Sequence, residues 1–180
     1  RYVNWYNQYA GKSPYLSLAS IEHNEPWPSG RPNHYLFDLN RDWVWASQVE
    51  TKQRLAIYND IMPHVHADFH EQWINNPYYF APAAEPFHEV ISPWQRKFQT
   101  KLGKRNASNF DKNGWLYFSS EEFDLLYPSY GDTYPTFMGA IGMTYEQAGH
   151  GRASLGINTD EGNVLTLKDR VAHHTTTGLS

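Results

Sequence analysis

The chain has 180 residues, enough for one domain with a core of its own and not obviously for two. Its net charge of -4 and the spread of Lys and Arg along the sequence, rather than in a stripe, argue against nucleic acid as a partner. The lack of cysteine excludes disulfides, thiolate zinc sites and a cysteine nucleophile, and no apolar run approaches the roughly 18 residues of a membrane span.

Residues 1–34 carry repeated turn signals ("GKSP", "HNEPWPSGRPN") and read as irregular chain. "HYLFDLN" (34–40) reads as a short strand ending in a polar turn, and 44–61 has helical spacing through Val44, Gln48, Leu55 and Ile61. "HVHADF" alternates and reads as a strand that delivers His70 at its end. Residues 87–106 read as a helix, "GWLYF" as a strand, "GAIGMTYE" as a buried apolar strand, and 165–174 as a final helix. Strands alternating with helices predict an α/β domain. Aromatic residues make up 16%, with 7 Trp and 13 Tyr, and serve either a ring-rich core or a groove for sugars or peptides.

Chemistry concentrates in three stretches. In "HVHADFHEQW" (64–73), a strand would turn His64, His66, Asp68 and His70 to one face. Such positions spread along the strand, so His70, at the end, is the expected site residue, with Asp68 or Glu71 orienting its ring through the second nitrogen. "GMTYEQAGHG" puts Glu146 at the end of a buried strand, where partial desolvation suits a general base. "FDLNRDW" sets Asn40 beside Arg41, a potential fork for a carboxylate.

Taken in order, these stretches resemble the zinc metallocarboxypeptidases, the family of carboxypeptidase A. "DLNRDW" looks like the family's carboxylate-binding Asn-Arg motif, "ADFHEQ" like the strand end bearing a zinc ligand (His70), and "MTYEQ" like the strand ending in the catalytic glutamate (Glu146). "LYPSYGDTYP" resembles the loop with a substrate-capping tyrosine, matching Tyr127 with Tyr130 as competitor, and the opening "RYVNWYN" resembles the stretch after the family's "NPDG" segment. The resemblance implies a central, mostly parallel or mixed sheet flanked by helices, incomplete at its N-terminal side, with residues 1–180 forming part of a catalytic domain. It also implies Zn2+, peptide substrates with a free C-terminal carboxylate, a secreted or periplasmic location, and an oxyanion-stabilising arginine, for which Arg31 is the nearest candidate. The family's first two zinc ligands come from an upstream His-x-x-Glu motif, and no histidine here has Glu three residues later. The chain as it stands is therefore expected to be inactive alone and to need the remainder of its domain. Asp132, near the presumed specificity loop, is compatible with basic substrate side chains. Three rival readings stand beside this one. The first is a non-catalytic aromatic-rich module for peptides or glycans. The second is a self-contained metal site of His64, His66 and His70, and the third is an amidase or deacylase of the same family.

Overall fold

The computed structural model describes residues 16–24 and 26–180, apart from the side chain of residue 22. The opening "RYVNWYN", with its resemblance, lies outside the described residues. In chain order the elements are α1 (Val49–Ile61), β1 (Val65–Gln72), β2 (Tyr78–Tyr79), β3 (Ala84–Phe87), α2 (Pro93–Asn113), β4 (Tyr117–Phe118), β5 (Asp124–Leu125), α3 (Thr133–Phe137), β6 (Ile141–Ala148), β7 (Gly156–Asn158), β8 (Val164–Thr166) and α4 (Leu167–Gly178).

The fold is α/β, with a mixed sheet of order β1-β6-β2-β4 flanked by helices. β6 is apolar along most of its length and buried at every position, as a strand covered on both faces must be. β1 runs parallel to it from Val65 opposite Ile141 to Gln72 opposite Ala148, while β2 meets β6 antiparallel at Tyr79 and Glu146. β1 alternates in exposure, so Val65, Ala67 and Phe69 face one way and His66, Asp68 and His70 the other.

The two sheet faces are covered differently. On the face of Ile141, Met143 and Tyr145, α2 closes the main core with Phe110, Tyr78 and Phe80, and Phe98 and Leu102 pack at its margin. α4 covers the same face, with His174 against Phe69 and its Nδ1 at 2.8 Å from the Tyr78 hydroxyl. α2 approaches closely because residue 103 is glycine; a Cβ there would fall on the Ala81 carbonyl oxygen. Buried amides fasten the helix to the sheet, with Gln95 Nε2 donating to the Thr136 and Ala140 carbonyls and Gln99 Nε2 to that of Gly142. The opposite face, with His66, Asp68, His70, Thr144 and Glu146, receives α1 and the turn before it, through Trp43 and Tyr58 packed edge-on against His66.

Several boundaries differ from the sequence reading. Residues 34–40 form no strand. Asn33 Oδ1 takes the amides of Tyr35 and Phe37, Asp38 takes that of Asn40, and a 3-10 turn follows over Leu39–Arg41. Local side-chain bonds have displaced a ladder there. The 44–61 helix starts only at Val49, because the Asp42 carboxylate takes the Ser47 and Gln48 amides. α2 starts at Pro93 rather than 87, set by a Ser92–Gln95 capping box with proline in the first turn, and residues 84–87 are strand. Nor are the cations evenly placed, since α2 alone carries Arg96, Lys97, Lys101, Lys104, Arg105 and Lys112. No helix among the described residues is long and apolar enough to cross a membrane.

Candidate functional site

Parallel in-register pairing sets His70 directly opposite Glu146, on strands about 4.8 Å apart and pointing to the same face. Both stand near the C-terminal ends of their strands. The cavity there, about 580 Å³, is lined by His70, Glu146, Asn40, Arg41, Arg31 and Tyr130, with Asp132 and Thr144 also at its wall. Six of the seven site residues expected from sequence therefore meet in one cleft.

The seventh, Tyr127, stands one layer out. Its hydroxyl accepts a hydrogen bond from Trp45 Nε1 at 2.7 Å, and its ring lies 5.0 Å from that of Tyr130. Tyr130 is the tyrosine that lines the cavity, and the Arg41 guanidinium sits 4.4 Å from its ring centroid. Arg41 makes no close ion pair among the described residues, although its charge helps to lower the Asp38 carboxyl; one guanidinium nitrogen donates to the Asn40 carbonyl at 3.0 Å. Ser129, fully buried, ties the Arg41 and Tyr130 segments together by donating to the Arg41 carbonyl and accepting from the Val44 amide.

Asn40 does not sit as a fork beside Arg41. Its amide oxygen accepts from Trp43 Nε1 at 3.1 Å, and its nitrogen lies 3.2 Å from Asp68 Oδ2 and 3.0 Å from His70 Nε2. His70 Nε2 is 2.6 Å from Asp68 Oδ2, so Asp68 orients the imidazole. Glu71, the alternative from sequence, pairs instead with Arg170 at 2.6 Å. The cradle is tight, since a Cβ on Gly131 would fall on Asp68 Oδ2. Arg31 pairs with Asp38 at 2.8 Å on the cavity rim.

The electrostatics follow from this packing. Burial pushes the Glu146 carboxyl up to about 7; the charge of His70 pulls against the shift, and Asp68 adds to it. Its Oε2 atom is buried with no hydrogen-bond partner among the described residues. The hydrogen bond to Asp68 raises the His70 imidazole above its ordinary value, against the opposing effect of burial. Burial likewise raises Asp132, whose carboxylate accepts from the hydroxyls of Thr144 (2.8 Å) and Thr133 (3.1 Å). Asp132 is thus engaged within the protein rather than presented to a cationic side chain.

The donor set for a metal is incomplete. A zinc site needs three or four converging donors, and no group of three His, Cys, Asp or Glu side chains among the described residues could hold an ion. His66 packs between Trp43 and Tyr58, and His64 is exposed, so the three-histidine site does not form. His70 is the one imidazole facing Glu146 across the strand pair, and the residues present do not by themselves fit zinc.

The Asp68 contact was open to sequence reasoning through strand alternation, whereas the Ser129 tie and the Arg41–Tyr130 stack join distant loops that carry no pattern. Searches against family models, curated proteins and solved structures found no match to this chain.

Proposed function

We propose that this chain carries the carboxylate anchor and the proton-transfer carboxyl of a peptidase that removes C-terminal residues, of the zinc-metallocarboxypeptidase kind. One observation carries the reading: a single cavity holds both a guanidinium outside any close ion pair and a buried carboxyl poised near neutrality.

Arg41 is the anchor, an always-charged donor to a terminal carboxylate, kept over Tyr130 and fixed through Ser129. Asn40 donates to Asp68, the carboxylate that orients His70, rather than gripping substrate. Ionised Glu146 takes a proton from a water as the water's oxygen adds to the scissile carbonyl; the C–N bond then breaks and the proton passes to the leaving amine. A carboxyl at about 7 can act in both directions near neutral pH. Zinc, in such a site, would polarise the carbonyl, and would need donors besides His70.

The test compares a short peptide bearing a free C-terminal carboxylate with the same peptide as its C-terminal amide, by calorimetry on the chain. The free acid should bind and the amide should not, and Arg41→Ala should weaken the acid about tenfold to a hundredfold, as loss of a charged hydrogen bond does. Equal affinity for the two peptides would remove the exopeptidase reading.

A further inference from the structure

The face of the molecule opposite the cavity is charged in a way the site does not use. α2 holds six of the 15 Lys and Arg residues and one of the 19 acids, so this helix carries +5 and the rest of the chain -9. Lys97, Lys101, Lys104 and Arg105 are all exposed, and none has a carboxylate partner among the described residues. Like charges three and four residues apart, as in Lys97–Lys101, Lys101–Lys104 and Lys101–Arg105, work against the helix that bears them. At the head of the stripe Trp94 is 61% exposed, although its ring stacks on Phe98 at 5.3 Å. Lys101 Nζ lies 5.9 Å from the Phe98 ring, so cations and rings share one surface.

We infer that this face of α2 is a docking surface for an anionic lipid bilayer. A single helix, pinned to the sheet by Gln95 and Gln99, presents exposed cations that an anionic surface meets together. Exposed tryptophan beside lysine is the side-chain pair that settles at the headgroup level, the ring shallow and the ammonium groups on the phosphates. The acidic remainder of the chain is repelled by the same surface, and this fixes the orientation. Because α2 packs on the Ile141, Met143 and Tyr145 face of β6 while Glu146 and Thr144 face the other way, docking turns the cavity toward solvent.

The experiment is sedimentation of the chain with vesicles of phosphatidylcholine alone and of equal parts phosphatidylcholine and phosphatidylglycerol. The anionic vesicles should carry the protein down and the neutral ones should not. Raising salt from about 0.1 M to about 1 M, which shortens screening from about 10 Å to about 3 Å, should release it. Replacing Lys97, Lys101 and Lys104 together by Gln should weaken partitioning about a hundredfold, near fivefold per cation. Trp94→Ala should weaken it further at unchanged salt dependence. Circular dichroism and the melting temperature check that both variants keep the fold, as substitutions at exposed positions should. Equal sedimentation with both vesicle types, or an undiminished triple-Gln variant, overturns the inference. So does retention by single-stranded DNA with no binding to anionic vesicles, which would assign the stripe to a polymer. None of these readouts depends on peptide binding, so they stand or fall apart from the cavity's proposed activity.

Discussion

Glu146 makes its own pH signature. Its carboxyl is raised from 4.5 to about 7 in the folded chain, so between those values the folded state holds a proton that the unfolded state has released. The Glu146 contribution to stability, about 3 kcal/mol at most, should therefore be lost as pH rises from 4.5 to about 7. Glu146→Gln should remove the Glu146 share of that slope and raise the melting temperature at pH 8 relative to the parent, leaving the shares of Asp132 and His70. Thermal melts across pH check this, and a variant with the parent's slope would show that Glu146 is not the titrating group. Residues of this kind were legible in the sequence because strand alternation and strand ends are periodic features. That is why His70 and Glu146 stand out in the sequence. Tyr130 over Tyr127 was not legible, since the loop over 126–131 has no period and its ring directions are set by Arg41 and Trp45, far away in sequence.

Among the elements, α1 owes its start to a residue outside it. Asp42, buried before the helix, accepts the Ser47 amide (3.0 Å), the Ser47 hydroxyl (2.6 Å) and the Gln48 amide (2.9 Å). Burial works against its charge, yet these bonds hold the carboxyl down to about 2. Its contribution is complete above the ordinary value of 3.8 and is lost as pH falls through about 2. Asp42→Ala should cost about 2 kcal/mol at neutral pH by leaving the two amides that lead into the helix without a partner, and should flatten the acid limb of the stability profile, measurable by urea melts. α2 offers a second case in which propensity alone gives the wrong sign. Gly103→Ala would help an isolated helix, but here the added methyl group meets the Ala81 carbonyl, and a loss of about 1–3 kcal/mol is expected instead. The three long helices and the two long strands were readable from spacing, and β4 lies within the strand read over 114–118, whereas α3, β2, β3 and β5, of two to five residues each, are too short for any period.

At the scale of the molecule, the sheet divides labour between its faces. One is filled by a ring cluster in which Phe110 is fully buried against Tyr78, Phe80 and Trp115. Phe110→Ala should cost about 3–5 kcal/mol and unfold the domain as a unit in denaturant melts, without altering the local geometry at Arg41 before that point. The other face keeps its polar side chains and bears the cavity. The -4 total hid the charge division between these faces, because a sum has no direction; only the packing of α2 onto one side turned cations from separate sequence positions into a surface.

β1 has a single strand neighbour among the described residues, while β6 lies between β1 and β2. The two halves of the cavity therefore hang from supports of unequal strength. Amide hydrogens of β6 should exchange slowly, at rates near those of global unfolding, and those of Val65–Gln72 sooner, through brief release of one ladder. In such an excursion Glu146 keeps its place while Asp68 and His70 leave together, so the imidazole and its orienting carboxylate come and go as one body against a fixed carboxyl. The outer edge of β1 thus sets how often that half of the cavity is formed at all, though no residue of that edge need line it.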